Sequence, residues 1–255
     1  MSGPAAPHVA LFATCLVELY RPRIVRASVT LLEAAGCRVD VPAAQTCCGQ
    51  PAYNAGDRNR ARRMAQQQIG ALAPFEQVVV PSGSCAAMIV RHYPRLFADD
   101  PAWRARAAAV AAKTTELTAF LAARGALPEA ATRAAGGMTY HDGCSGLREL
   151  GLKAAPRRLL AARCGAAPRE MADGERCCGF GGLFAIRFDA VSEAIGGRKL
   201  DAAEATGAGL LVSGELGCLL HLAGLARRQG RTIRCRHVAE ILAGMDDGPA
   251  IGEEG

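Results

Sequence analysis

The chain contains no C-x-x-C pair, the knuckle with which structural zinc sites usually chelate one ion through two thiolates. It also lacks the C-x₂-C-x₂-C-x₃-C-P run of bacterial ferredoxins, a C-x-x-C-H haem attachment and a G-x-G-x-x-G loop opening a helix. Aromatic residues are few: one Trp, four Tyr and seven Phe in 255 residues. That leaves no stacking platform for single-stranded nucleic acid. No uncharged apolar run reaches the roughly 18–20 residues of a membrane helix, so no transmembrane segment is expected. Residues 1–8 carry no basic stretch, and the apolar run 9–13 stops at Cys15 almost at once. A secretory signal is therefore not expected, and the chain reads as cytoplasmic. The net charge of +6 comes largely from dispersed Arg residues, which describes a solvated surface and no nucleic-acid partner.

What the chain has in excess is cysteine, eleven in all. Eight of them repeat one pattern. The stretch Cys177-Cys178-Gly179-Phe180-Gly181-Gly182 echoes Cys47-Cys48-Gly49-Gln50-Pro51 about 130 residues earlier. Cys15 lies 32 positions before Cys47, and Cys144 lies 33 before Cys177. Cys85 follows Cys48 by 37 positions, and Cys218 follows Cys178 by 40. A duplicated C…CCG…C pattern in a chain without an export signal points to metal or redox chemistry sooner than to disulfides. Cys37, Cys164 and Cys235 fall outside the repeat and read as buried structural thiols.

Half of the residues are hydrophobic, enough for a core in each half. The first half reads strand 8–14, helix 22–35, strand 37–41, helix 56–72, strand 77–81 and a helical stretch over 102–123. The second reads strand 138–142, helix 156–163, strand 168–171, strand 209–213 and a last helix over 237–242, started by His237. This order describes parallel α/β units. The expected architecture is two pseudo-symmetric, Rossmann-like parallel-sheet domains from an internal duplication. They span 1–124 and 137–255, with a Gly- and Ala-rich linker at 125–136 and a short acidic tail from Asp246 that is expected to fray. The lone cysteines of each set fall just past strand ends, where open α/β sheets gather ligands.

Each set can hold one zinc ion or an iron–sulfur cluster. Adjacent cysteines chelate a single ion awkwardly, because successive extended side chains point apart. They suit two different irons of one cluster better, so an iron–sulfur cluster is the leading expectation and zinc the alternative. A thiol–disulfide enzyme using the vicinal pairs is a third reading. The Gly after each pair lets the backbone come close and aim N–H groups at sulfur. His141, three positions before Cys144, reads either as a hydrogen-bond donor to such a cluster or as a packed strand-end residue. Arg148 and Lys199 read as solvated surface or, second, as contacts to an anionic substrate or an acidic partner.

The pattern resembles the cysteine-rich CCG domain of the heterodisulfide reductases and of the glycolate oxidase iron–sulfur subunit. The stretches 47–56 (CCGQPAYNAG), 81–85 (PSGSC), 177–182 (CCGFGG), 217–221 (GCLLH) and 237–242 (HVAEIL) are more similar to the stand-alone lactate-utilisation protein A family. That resemblance covers about residues 8–245. It implies an iron–sulfur-binding oxidoreductase subunit of an L-lactate dehydrogenase type of complex, producing pyruvate. It also implies partner subunits, a ferredoxin-like iron–sulfur protein and a third small subunit, with a small 2-hydroxy acid as substrate of the complex. The cluster ligands it implies are Cys15, Cys47, Cys48 and Cys85 in one half, and Cys144, Cys177, Cys178 and Cys218 in the other. With four thiolates in each set, the expected cofactor is 4Fe-4S, one or two per chain. The heterodisulfide reductase pattern ends each set in C-x-x-C, whereas this chain has Met88 and His221 there. Those two residues are secondary candidates as ligands, with helix-face packing the plainer reading.

Overall fold

In a computed structural model of the chain, residues 6–125 and 137–253 are described. The chain divides into two compact units, Met1–Pro128 and Glu129–Gly255. Apart from Gly125, the linker expected over 125–136 lies outside the described residues.

The first unit is built on strands β1 (His8–Leu11), β2 (Arg38–Asp40), β3 (Gln77–Val80) and β4 (Thr114–Glu116), ordered β2-β1-β3-β4. Every pairing is parallel: Val9 lies beside Val39 and Gln77, and Val78 beside Thr114. Parallel neighbours need crossovers, and helices Arg23–Ala34, Arg58–Leu72 and Pro101–Ala112 lie in those connections. The first buries Ile24, Ala27, Ser28, Leu31 and Leu32, a 3.6-period stripe set against the sheet. Each Leu or Ile so buried stabilises the unit by about 1.5–3 kcal/mol. Asp57 caps the second helix by accepting from Arg60 N at 2.9 Å.

The helical stretch expected over 102–123 is broken by β4. The β-branched Thr114 and Thr115 pair with Val78 and Val79, and Glu116 then caps helix Leu117–Arg124 through the amides of Thr118 and Ala119. Local helix propensity loses here to an available sheet edge.

The second unit repeats the plan with β5 (Met138–Tyr140), β6 (Leu210–Ser213) and β7 (Arg234–His237), again all parallel and ordered β5-β6-β7. The strand expected over 168–171 is reduced to one parallel bridge, Thr139 to Arg169. Pro168 has no amide to donate to a longer ladder. With that bridge standing where the first unit has β2, the two sheets share one order. His237 caps helix Val238–Ala243 as expected, in a capping box with Glu240. The acidic tail does not fray before Glu253: Ala250 and Ile251 are buried, and Ile251 N donates to Cys235 O at 2.9 Å.

Candidate metal centres

In each unit the cysteine set converges on the carboxyl edge of the sheet. Cys15 is the first residue of helix Cys15–Tyr20, four positions past the end of β1. Cys85 sits in helix Gly83–Ala87 after β3, where Ser82 Oγ accepts from Cys85 N at 3.3 Å. Cys47 and Cys48 come from the loop after β2. Gly49, at φ +87°, turns that loop into helix Gln50–Asn54. A Cβ on Gly49 would stand 3.3 Å from Met64 Cβ, so the turn needs both the left-handed backbone and the missing side chain. Thr46 is tied to Gln68 by a reciprocal pair of hydrogen bonds at 3.2 and 2.6 Å. Tyr93, fully buried, donates its hydroxyl to Cys48 O at 2.8 Å.

The second unit assembles the same set by the same route. Cys144 opens helix Cys144–Leu150 after β5, and Cys218 lies in helix Leu216–Arg228 after β6. Gly179, at φ +90°, follows Cys177-Cys178. A Cβ there would meet Ser192 O at 2.4 Å. Ser192 Oγ donates to Gly179 O at 2.8 Å and so plays the part that Tyr93 plays in the first unit. Phe180 packs its ring against Gly217, where a Cβ would come within 2.6 Å of it.

The sulfur atoms touch. Cys48 Sγ is 3.3 Å from Cys85 Sγ, and Cys178 Sγ is 2.9 Å from Cys218 Sγ. Cys15 and Cys48 both hydrogen-bond to Cys47, and Cys144 and Cys178 both hydrogen-bond to Cys177. All eight expected residues therefore fall into two groups of four. Backbone amides are aimed at the same sulfurs: Gly49 N at Cys47 Sγ (3.5 Å), Gly179 N at Cys177 Sγ (3.3 Å) and Phe180 N at Cys178 Sγ (3.5 Å).

This crowding sets the protonation. Hydrogen bonds from Cys15 and Cys48, helped by the Gly49 amide, hold the Cys47 thiol down to about 3. Cys144, Cys178 and the Gly179 amide hold Cys177 down to about 2. The neighbours shift in the other direction: Cys15, Cys48, Cys144 and Cys178 are pushed well up, first by hydrogen bonding to those thiolates and then by burial. In each group the thiolate at Cys47 or Cys177 forms readily, and its hydrogen-bonded neighbours, Cys15 and Cys48 or Cys144 and Cys178, then resist ionising. Four sulfurs in that condition fit a bound metal or metal–sulfide core, whose positive charge lets the remaining thiols ionise.

The secondary candidates lie differently. Met88 is fully buried in the first unit, at the start of a π-helical turn over Met88–His92. His221 is half-buried, with Nε2 3.4 Å from Ser192 Oγ and its ring 6.2 Å from that of Phe180. Cys37, Cys164 and Cys235 are buried away from both groups, and burial pushes Cys235 up to about 12.

Several residues near the second group carry more than the sequence revealed. Lys199 is no surface residue: it is 2 % exposed, donates to Gly174 O at 2.9 Å and is held below the ordinary lysine range by burial. Asp142, two residues before Cys144, takes a two-pronged hydrogen bond from Arg157 at 2.8 Å on each oxygen. His141 is fully buried, and burial with the nearby Lys199 charge lowers its imidazole to about 3, so the ring is neutral. Tyr93 and Ser192 carried no signal in the sequence, since each contacts its turn from a separate helix.

The cysteine-rich CCG domain matches the chain twice, over residues 9–90 and 138–223, and each match takes in one complete group of four. The lactate utilization protein A of Geobacillus kaustophilus is 43% identical over 234 residues, covering 92% of this chain and 98% of that protein. The protein of the same name from Bacillus cytotoxicus is 41% identical over the same shares. The chain belongs to the lactate utilization protein A family. Within that family's frame the duplication is a pair of CCG domains, each presenting four cysteines at the edge of a parallel sheet. No helix among the described residues is long and apolar enough to cross a membrane.

Proposed function

We propose that the chain is an iron–sulfur-binding oxidoreductase subunit that relays electrons in the oxidation of L-lactate to pyruvate. The observation that carries this reading is the convergence of four sulfurs in each unit with backbone N–H groups directed at them. A bound cluster supplies one-electron acceptance and release. The protein's own residues do the rest. Cys15, Cys47, Cys48 and Cys85 hold one centre, and Cys144, Cys177, Cys178 and Cys218 the other. Gly49 and Gly179 bring the backbone close, while Tyr93 and Ser192 fix the carbonyls beside the cysteine pairs. Burial of Cys48, Cys85, Cys178 and Cys218 keeps water from half of each set.

Lactate oxidation releases a pair of electrons and a pair of protons, and the electrons need further carriers. A ferredoxin-like iron–sulfur protein and a third small subunit fill that role in this reading, with the complex in the cytoplasm. Exposed apolar side chains follow the cysteines in sequence in both units: Leu19 and Tyr20 after Cys15, and Ile186, Phe188 and Val191 after Cys178. Such surface suits docking of partner subunits.

One observation favours a second reading, structural zinc. The 3.3 and 2.9 Å sulfur separations are nearer the roughly 3.8 Å expected between thiolates on one tetrahedral zinc with 2.3 Å bonds than a wider cage would need. Iron, zinc and sulfide content discriminates the two, and a complex reconstituted with its partners then tests the relay itself. Cys48→Ser and Cys178→Ser each stop L-lactate-dependent reduction of an artificial acceptor if the chain relays electrons. Unchanged turnover in both variants assigns it a scaffold's role.

A further inference from the structure

His141 occupies a place where an imidazole has nothing ordinary to do. It follows β5 directly, its N–H donates to Val212 O at 2.8 Å, and its carbonyl accepts from Ser213 Oγ at 2.9 Å, so its backbone is fixed on both sides. The ring is fully buried, and among the described residues neither Nδ1 nor Nε2 has a hydrogen-bond partner. Burying an unpaired polar nitrogen costs about 1–3 kcal/mol, which an isosteric apolar residue would avoid. The first unit shows that alternative: Phe12, three positions before Cys15 as His141 is before Cys144, is equally buried. Around His141 the side chains form a donor group. A ring nitrogen of His141 and the sulfurs of Cys178 and Cys218 all lie within 4.8 Å of one another, a spread that one metal atom can gather with small side-chain rotations.

We infer that His141 is a metal ligand of the second centre, giving it a mixed imidazole–thiolate donor set that the first centre, with Phe12 in that position, does not have. The inference rests on the reading that the cysteine groups bind metal. It makes the two halves chemically unequal despite their common fold. Where the imidazole takes the place of one of the four thiolates, it removes negative charge from the centre, and in iron–sulfur proteins this raises the reduction potential.

The test uses the full-length protein, purified without oxygen and with its metal counted first. For an iron-containing chain, pulsed EPR of the dithionite-reduced protein reads nitrogen directly bound to the paramagnet. A strong ¹⁴N coupling is expected, converting to ¹⁵N when the protein is grown on ¹⁵N-histidine. It persists in His221→Leu and disappears in His141→Phe. For a zinc-containing chain, absorption at the zinc edge is expected to show nitrogen at about 2.0 Å beside sulfur at about 2.3 Å, lost in the same variant. Metal bound at full occupancy with no histidine nitrogen in the unmutated protein overturns the inference and leaves the proposed function standing. So does a coupling that survives in His141→Phe. A chain that holds no metal overturns both. The isotope experiment needs no variant, so a poorly folding His141→Phe does not block the result.

Discussion

The Tyr93 hydroxyl donates to the carbonyl of Cys48 at 2.8 Å, across 45 positions of sequence. It ties the first cysteine pair to a helix that supplies no ligand. Both groups are buried, so Tyr93→Phe leaves the Cys48 carbonyl without its partner and is expected to cost about 1–3 kcal/mol. Denaturant unfolding measures the loss, and metal content should fall in the first centre only. A midpoint equal to that of the unmutated protein would show that this hydrogen bond does not hold the turn.

Gly49 and Gly179 sit at the same place in the two repeats but under different pressure. Any side chain costs about 1–2 kcal/mol in the left-handed backbone both adopt. Beyond that, a Cβ on Gly179 would collide with Ser192 O at 2.4 Å, whereas one on Gly49 meets Met64 Cβ at 3.3 Å. Gly179→Ala is therefore expected to destabilise more than Gly49→Ala and to empty the second centre. Thermal midpoints and metal counts of the two variants, side by side, check the order; equal losses contradict it.

Reactivity of the metal-free chain reports the thiolate assignment. A thiol with an ordinary pKa of about 8.5 alkylates roughly tenfold faster for each pH unit between 5 and 7. Cys47 and Cys177 are held down to about 3 and about 2, so they are already ionised throughout that window. Their iodoacetamide labelling should be nearly flat from pH 5 to 7, while Cys15, Cys48, Cys144 and Cys178, pushed up by those thiolates, speed up as pH rises. Peptide mapping at about pH 5, 6 and 7 decides it, and a tenfold-per-unit slope at Cys47 would count against the arrangement.

Arg157 grips Asp142 with both terminal nitrogens and reaches Glu170 as well. The Asp142 side chain is 1% exposed and that of Glu170 59%. Asp142→Asn breaks a buried pair and is expected to cost about 3 kcal/mol. Glu170→Gln removes only an exposed partner and should cost about 1 kcal/mol or less. Because Asp142 precedes Cys144 by two residues, the first variant should also loosen the second centre. Equal stability of the two variants would contradict the difference in burial.

Much of the fold and of the candidate centres is legible in the sequence, and the reasons differ by element. The spacing of Cys15, Cys47, Cys48 and Cys85, repeated at Cys144, Cys177, Cys178 and Cys218, exposes the duplication because metal-binding residues tolerate little substitution in kind. Apolar runs such as 77–80 reveal the central strands, which are buried on both faces. Two of the edge strands hide. β7 reads Arg-Cys-Arg-His, with no apolar alternation, and β4 is three residues inside a helix-forming stretch. Pairing partners, not local composition, make them strands. Lys199 reads as surface because a lysine is usually solvated. Its burial depends on helix Asp189–Glu204 packing it beside the cysteine group, a tertiary fact that no local pattern encodes.

Each half of the chain, in the function proposed above, holds an iron–sulfur cluster on its four cysteines. Iron, zinc and acid-labile sulfide, counted on protein purified without oxygen, test that most directly. About eight irons and about eight sulfides per chain are expected, with a broad absorption near 400 nm. Half of each, lost in Cys177→Ser but not in Cys47→Ser or the reverse, would confine the cluster to one half. Stoichiometric zinc without sulfide, reproduced from iron-rich culture, would contradict the proposal and leave a zinc-held scaffold.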